Sequence, residues 1–184
     1  VVDRFGNAVA VTYTLNFGYG ACIVAEGTGI LLNDEMDDFS AKPDSPNAYG
    51  LLGGAANAIE PGKRMLSCMT PTIVLKDGGA FLVTGSPGGS RIITTTLQII
   101  LNVIDHGMNI ADATNAPRIH HQWMPDELSL EKGFEDALAL RLGEMGYTVK
   151  TVGGLGCTQS ILREGGMLYG AADMRGSSSL AEGY

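Results

Sequence analysis

The sequence has few cysteines, few aromatic residues and no excess of positive charge. Of its 184 residues, three are Cys, 7% are aromatic and 17% are charged, with 12 Lys and Arg against 20 Asp and Glu. The net charge of −8 and the pI near 4.7 argue against nucleic acid and anionic membrane surfaces as partners. Small molecules are therefore the expected ligands.

Long hydrophobic runs are also lacking. Every apolar stretch is interrupted well short of the roughly 20 residues that a membrane helix requires, and no signal peptide opens the sequence. We therefore expect a soluble chain without a membrane partner.

The three cysteines, Cys22, Cys68 and Cys157, lie far apart and are odd in number. Neither a zinc site nor a complete disulfide framework follows from such a pattern, so we expect free thiols. His120 and His121 are neighbours that would point to opposite faces of a strand, and no third ligand follows at helical spacing. The sequence predicts no metal site and no cofactor.

The composition is that of a globular protein. It is 45% hydrophobic and contains 26 glycines, which suits one compact domain over residues 1–184 with a real core. Strand patterns open and close the chain and helical patterns fill its middle, so we expect an α+β fold in which helices pack on an antiparallel sheet. Strands are predicted at 7–15, 72–76, 80–83, 147–152, 158–163 and 167–169, and helices at 90–107, 110–115 and 136–145.

A glycine turn, Gly85-Ser-Pro-Gly-Gly-Ser-Arg91, joins a predicted strand to the strongest helical pattern in the chain. The consecutive residues Gly88 and Gly89 permit backbone conformations closed to other residues, and the N–H groups of a first helical turn point outward. Such a junction is an anion or oxyanion site in outline. The alternative is a tight turn in which Ser90 caps the helix.

Two further stretches are candidates for ligand contact. The run Asn33-Asp-Glu-Met-Asp-Asp38 holds four acids, which form either a solvated loop or carboxylates that face a cavity and suit an ammonium group. Residues 41–54 form a long loop rich in Pro and Gly, a type that is often a lid. Tyr49, near its middle, either closes over a site or pins the loop to the surface.

The chain starts with a strand-like segment that lacks an initiator Met. We therefore expect that residues precede Val1 in the whole protein, and that a partner polypeptide lies upstream.

Five segments together resemble the small subunit of γ-glutamyltranspeptidase, and the resemblance covers nearly the whole chain. The matching segments are GNAVAVTYTLN at 6–16, EMDDFSAKP at 35–43, MTPTIV at 69–74, GSPGGSR at 85–91 and NAPRIHHQW at 115–123. The resemblance implies an N-terminal-nucleophile hydrolase with a four-layer αββα sandwich, shared between two subunits that are cut from one precursor. It also implies a nucleophilic threonine in a short segment immediately before Val1.

The same resemblance implies roles for individual residues. Thr14 would hydrogen-bond the nucleophile, and the N–H groups of Gly88 and Gly89 would form the oxyanion hole. The remaining roles are the α-amino site, made by Asn16, Glu35 and Asp38, the α-carboxylate site, made by Ser67 and Cys68, and the lid, carried by Tyr49. Cys68 departs from the Ser-Ser pair of the family, and a thiol is a weaker donor to an anion.

The implied activity is transfer of a γ-glutamyl group from glutathione-like donors to water or to amino-acid and peptide acceptors. The implied partners are a large subunit and these small molecules, and the implied location is periplasmic or extracellular. Two alternatives stay open at this point. One is a cephalosporin acylase that removes a glutaryl group, favoured by Cys68 and opposed by the two acids Glu35 and Asp38; the other is a non-catalytic homologue.

Overall fold

The computed structural model describes residues 1–183, which form two compact units. We call residues 1–12, 69–121 and 126–183 the core unit, and residues 13–68 and 122–125 the loop unit. All strands and all α-helices of the described residues belong to the core unit. The expectation of a single domain over 1–184 stays a prediction.

The core unit contains seven strands and three α-helices among its described residues. In chain order these are β1 (Thr72–Lys76), β2 (Gly79–Gly85), α1 (Arg91–Ile104), α2 (Ile110–Asn115), β3 (Ile119–His120), β4 (Leu128–Glu131), α3 (Asp136–Glu144), β5 (Val149–Val152), β6 (Gln159–Glu164) and β7 (Met167–Ala172). The predicted strands from residue 72 onward and the three predicted helices are confirmed within a few residues at their ends. The α+β class is confirmed with them.

Four of the strands form an antiparallel sheet in the order β1-β2-β6-β7. The β1–β2 hairpin closes through Asp77 and Gly78, both with positive φ, which is the geometry that a two-residue hairpin turn requires. Glu164 pairs with Met167 across the hairpin that joins β6 to β7. This sheet delivers the end of β2 to the glycine turn and to α1.

A second sheet has the order β3-β4-β5 and contains a parallel pair, β4 with β5. The sequence did not predict this pair. Helix α3 connects the two strands, as a parallel crossover requires.

One face of α1 and α2 packs on the four-stranded sheet. The buried cluster comprises Leu82, Ile99, Val103, Ile110, Ala113, Leu162 and Ala171. The apolar pattern of residues 90–107 predicts the helix correctly, but it does not show which of its apolar residues are buried. Ile93, Leu97 and Ile104 belong to that pattern and are 49%, 50% and 50% exposed. Helix α1 thus carries a second apolar stripe that no described residue covers.

The predicted strand at 7–15 is wrong for this chain. Only Ala8 forms a bridge, with Val2, and the remaining residues are extended without a strand partner among the described residues. The side chains alternate as in a strand, with Val9 and Val11 exposed and Ala8 and Ala10 half-buried. The alternation that predicts a strand is present, but a strand needs a hydrogen-bonded neighbour, and none of the described segments supplies one.

The loop unit contains two short 3₁₀ turns, Glu35–Asp38 and Ala55–Asn57, joined by irregular backbone. Its buried residues are Gly20 and, at the end of the first turn, Phe39 and Ser40. Between residues 1 and 183, no helix is long and apolar enough to cross a membrane.

Candidate functional site

The glycine turn lies at the end of β2 in the core unit. Gly88 and Gly89 adopt φ values of 142° and 58°, which a side chain would strain. Their carbonyl groups accept from the N–H groups of Arg91 and Ile92 and so start α1. No backbone carbonyl among residues 1–183 accepts from the N–H of either glycine. Two adjacent main-chain donors at a helix N-terminus can stabilise an oxyanion.

The acidic run forms a 3₁₀ turn in the loop unit, Glu35–Asp38. Residues three apart eclipse one another in a 3₁₀ helix, so the carboxyl groups of Glu35 and Asp38 lie side by side, where a hydrogen bond joins them when one is protonated. Within the described residues, Glu35 Oε1 and Asp37 Oδ2 are buried without a hydrogen-bond partner. A buried acceptor of this kind is suited to a ligand cation.

The two paired carboxyl groups titrate above their ordinary ranges. Burial raises the pKa of Glu35, the hydrogen bond to Asp38 raises it further, and the charges of Asp38 and Asp34 add to the effect. Burial also raises the pKa of Asp38, although its hydrogen bond from Glu35 acts in the opposite direction. The hydrogen bond therefore favours a proton on Glu35 over one on Asp38.

Asn16 is held between the acidic turn and Thr14. Its backbone has a positive φ of 74°, its N–H donates to Thr14 Oγ1 at 2.8 Å, and its side-chain Nδ2 donates to the carbonyl of Asp34 at 3.0 Å. The backbone and the side chain of Asn16 thus link Thr14 to Asp34, the residue that precedes the acidic turn.

Tyr49 is held by three contacts, two of them to the same segment. Its ring stacks on Phe17, with centroids 5.5 Å apart and planes at 11°, and its hydroxyl donates to the carbonyl of Asn16 at 3.2 Å. Gln122 Nε2 donates to the Tyr49 carbonyl at 2.9 Å. Burial, followed by the nearby charges of Asp38, Asp37, Glu35 and Asp34, raises the pKa of the phenol. Tyr49 is thus near the acidic turn.

Ser67 and Cys68 also belong to the loop unit, and Ser67 is exposed while Cys68 is half-buried. Burial raises the pKa of the Cys68 thiol, and the negative charge of Asp38 raises it further. The thiol is therefore neutral near pH 7 and lies within electrostatic reach of Asp38. Cys22 and Cys157 are free thiols, as predicted.

Six of the predicted site residues are thus linked within the loop unit by contacts or by electrostatics. These are Thr14, Asn16, Glu35, Asp38, Tyr49 and Cys68. Gly88 and Gly89 belong to the core unit.

A buried ion network in the core unit was missed by the sequence analysis. Arg118 Nη2 donates to Asp173 Oδ2 at 2.6 Å, and Arg175 pairs with both Asp173 and Glu131. Arg118 and Asp173 are 1% and 0% exposed. Burial raises the pKa of Asp173, but hydrogen bonds from Arg175, Thr158 and Arg118 lower it by more. The pKa of Asp173 therefore lies below its ordinary value.

The same network fixes the segment after β5. The carbonyl of Leu155 accepts from Arg118 Nη1 at 2.8 Å, and the Leu155 N–H donates to Glu131 Oε1. No local sequence signal joins these four charged residues, because they come from distant elements. The residue type is the one signal available, because a charged side chain that becomes buried is expected to have a partner of opposite charge.

The two neighbouring histidines have separate environments. His120 is buried with Nδ1 2.8 Å from Thr94 Oγ1, and His121 Nε2 lies 3.0 Å from Asp126 Oδ1. Within residues 1–183, no group of three or more His, Cys, Asp or Glu side chains is placed to hold a metal ion.

Comparisons with known proteins identify close relatives. The chain is 60% identical over 185 residues to the glutathione hydrolase proenzyme of Escherichia coli (strain K12), covering 100% of this chain and 32% of that protein. Its fold matches a crystal structure of a Helicobacter pylori γ-glutamyltranspeptidase mutant with a TM-score of 0.92 at 55% identity, covering 96% of this chain and 97% of that one.

A third comparison is the Pseudomonas nitroreducens γ-glutamyltranspeptidase complexed with L-DON. The TM-score is 0.94 at 46% identity, covering 100% of this chain and 97% of that chain. These matches confirm the predicted N-terminal-nucleophile hydrolase fold.

The chain spans about a third of the length of the E. coli proenzyme. The model of the γ-glutamyltranspeptidase family matches residues 1–183. The chain belongs to the γ-glutamyltranspeptidase family.

Proposed function

We propose that this chain is the catalytic small subunit of an enzyme that transfers the γ-glutamyl group of glutathione-like donors to water or to amino-acid and peptide acceptors. The reaction passes through a γ-glutamyl-enzyme intermediate. Each half of the reaction needs a nucleophile, a site that stabilises the oxyanion and a site that binds the glutamyl group.

The observation that carries the proposal is the acidic turn. Glu35 Oε1 is buried without a partner among the described residues, and Asp38 lies beside it. The α-ammonium group of a γ-glutamyl donor supplies N–H donors and a positive charge for these oxygens. Asn16, whose amide is fixed by Asp34, completes the α-amino site.

The acyl-transfer step is assigned to a threonine that precedes Val1. Its hydroxyl attacks the γ-carbonyl, its α-amino group accepts the proton, and the leaving amine takes that proton when the tetrahedral intermediate collapses. Thr14 orients the nucleophile, and the main-chain N–H groups of Gly88 and Gly89 stabilise the oxyanion. Water or an acceptor amine then attacks the ester in the same way.

The α-carboxylate of the donor is assigned to Ser67 and Cys68. A neutral thiol donates weakly, so this contact is weaker than one made by two hydroxyl groups. The alternative, a glutaryl acylase, acts on an acyl group that retains this carboxylate and lacks the α-amino group, so Cys68 does not discriminate between the two activities. Glu35 and Asp38 weigh against the acylase, because two carboxylates without an ammonium partner would only repel a glutaryl carboxylate.

A large subunit from the same precursor is the proposed partner. The exposed stripe Ile93, Leu97 and Ile104 on α1 and the unpaired segment with exposed Val9 and Val11 are surfaces of the kind that a second polypeptide buries. The periplasmic or extracellular location is part of the same proposal, and cell fractionation tests it.

The direct test uses the protein expressed from its whole gene. The mature enzyme is mixed with a γ-glutamyl 4-nitroanilide at several concentrations of glycylglycine. We expect release of nitroaniline, a γ-glutamyl-glycylglycine product in the mass spectrum, and the parallel double-reciprocal lines of a ping-pong reaction. Absence of release would refute the activity, and intersecting lines would refute the acyl-enzyme.

A further inference from the structure

Ser86, the residue before Pro87 in the glycine turn, is clamped between the turn and the segment that follows β5. It is 2% exposed. Its hydroxyl donates to the Pro87 carbonyl at 2.7 Å and accepts from the Cys157 N–H at 2.9 Å. One buried hydroxyl thus links the peptide unit that leads into Gly88 to the backbone of residue 157.

Gly156 fits against this hydroxyl without any spare volume. A Cβ at Gly156 would lie 2.5 Å from Ser86 Oγ, 2.9 Å from Thr95 Cγ2 and 3.0 Å from Thr95 Oγ1. Its φ of 71° also favours glycine. On its other side, the Gly156 Cα is 3.6 Å from where a Cβ of Gly88 would stand. The backbone at 156 therefore leaves no room for a side chain beside Ser86 and lies close to the glycine turn.

The segment that carries Gly156 is itself held firmly. The preceding residue, Leu155, is 0% exposed, and its carbonyl accepts from Arg118 and from Thr95 Oγ1. The backbone beside the glycine turn is thus held in place by buried hydrogen bonds.

We propose that Ser86 and Gly156 form a brace that positions the N–H groups of Gly88 and Gly89 for the oxyanion. This inference rests on the proposed function. Both are positioning residues, since they act through the turn and touch neither donor nor acceptor. Because oxyanion donors act on the transition state and not on the bound donor, disturbing the brace lowers kcat and leaves KM nearly unchanged.

The test compares Gly156→Ala with Gly154→Ala in the mature enzyme from the whole gene. A Cβ at Gly154 would meet only Arg175 Cδ at 3.8 Å and Glu131 Oε1 at 3.9 Å, which are ordinary contacts. We expect about a 10- to 100-fold lower kcat for Gly156→Ala with its donor KM unchanged, and wild-type kinetics for Gly154→Ala. The processed fraction is measured on a gel, and rates are expressed per processed enzyme.

Two additional measurements separate positioning from a general loss of structure. A boronic-acid analogue of the donor, which forms a tetrahedral adduct with a hydroxyl, should lose affinity in proportion to the loss of kcat/KM. Ser86→Ala should lower kcat on its own, and Gly156→Ala should cause a smaller further fall in that background, because the oxygen at 2.5 Å is gone.

Each outcome decides the proposal. The brace is refuted if Gly156→Ala and Ser86→Ala both keep the wild-type kcat. It is also refuted if each variant changes KM as much as kcat and the effects of the two substitutions add in the double variant. If Gly156→Ala fails to fold, Ser86→Ala alone decides through its kcat and its boronate affinity. An inactive wild-type enzyme would instead refute the proposed function.

Discussion

The ring of Tyr49 stacks on the ring of Phe17 at 5.5 Å while its hydroxyl donates to the carbonyl of Asn16, so the tyrosine of the long loop is docked beside the acidic turn. Loop side chains that rest on a ligand-binding segment commonly control access to it. The lid stays a prediction, and the same contacts are those of its alternative, a side chain that pins the loop to the surface.

Tyr49→Ala should change the ratio of hydrolysis to transfer, because it removes both the ring and the hydroxyl from this position. Tyr49→Phe is the matched control, since it retains the stack on Phe17 and loses only the bond to Asn16. We expect a larger change of ratio in the Ala variant than in the Phe variant. A constant ratio accompanied by a lower Tm in Tyr49→Ala would make Tyr49 a structural pin.

Asp38→Ala should raise the KM for a γ-glutamyl donor, because it leaves the donor ammonium without one carboxylate. Truncating one partner of a buried charged pair costs about 2–5 kcal/mol. A 4-aminobutanoyl donor, which has the amine and lacks the carboxylate, should be affected equally, whereas a glutaryl donor should not lose affinity. Glu35→Gln should act in the same direction with a smaller effect. An equal increase of KM for all three donors would contradict the assignment of Asp38 to the α-amino site.

Donor binding should weaken at acidic pH, and earlier than expected for isolated carboxyl groups. The pKa values of Glu35 and Asp38 are both raised, and only the ionised pair attracts the ammonium group. As the pH falls through these raised values the pair becomes protonated and KM increases. A pH series of KM should show this rise in the wild type, and Glu35→Gln should move it to lower pH, because the carboxyl group whose pKa is raised by the contact with Asp38 is then absent. The same profile in both proteins would contradict the assignment.

Cys68→Ser should improve the binding of donors that carry a carboxylate. The exchange replaces a weak S–H donor with a hydroxyl, and hydrogen bonds to charged groups contribute about 1.5–3 kcal/mol. Donors with γ-glutamyl and glutaryl groups should therefore both show a lower KM, while the 4-aminobutanoyl donor should not change. An improvement shared by all three donors would place Cys68 away from the α-carboxylate.

The buried pair of Arg118 and Asp173 predicts an effect on stability. Asp173→Asn leaves a buried guanidinium without its charge partner, which costs about 3–5 kcal/mol of the free energy of unfolding. The exposed pair of Lys63 and Glu60 is the control, and Glu60→Gln should cost less than about 1 kcal/mol.

The same carboxyl predicts how stability depends on pH. Because its pKa is lowered in the folded protein, the stabilisation is present above the unfolded-state pKa and is lost as the pH falls through the folded value. The Tm of the mature wild-type enzyme should therefore fall in acid more steeply than that of Asp173→Asn. Parallel curves would contradict the linkage.

The sequence was most informative where structure is local. The hairpin through Asp77 and the glycine turn follow from φ preferences and from changes of hydrophobic period, and both are present. It failed where a neighbour decides the outcome. Val9 and Val11 have the pattern of a strand without a partner strand in the described chain, and the outer stripe of α1 is as apolar as its buried one.

The ion network and the brace were beyond the sequence for a different reason. Asp173 meets Arg118, and Ser86 meets Cys157, only because the sheet brings distant segments together. No spacing rule connects such residues before the fold is known.

The most direct test of the account is the donor selectivity of the mature enzyme. The kcat/KM values for the γ-glutamyl and the glutaryl 4-nitroanilides are compared, since these donors differ only in the α-amino group. If Glu35 and Asp38 bind that group, the γ-glutamyl donor is preferred by at least about 30-fold, which corresponds to the lower end of the about 2–5 kcal/mol for a buried charged pair. Equal values, or a preference for the glutaryl donor, would contradict the account.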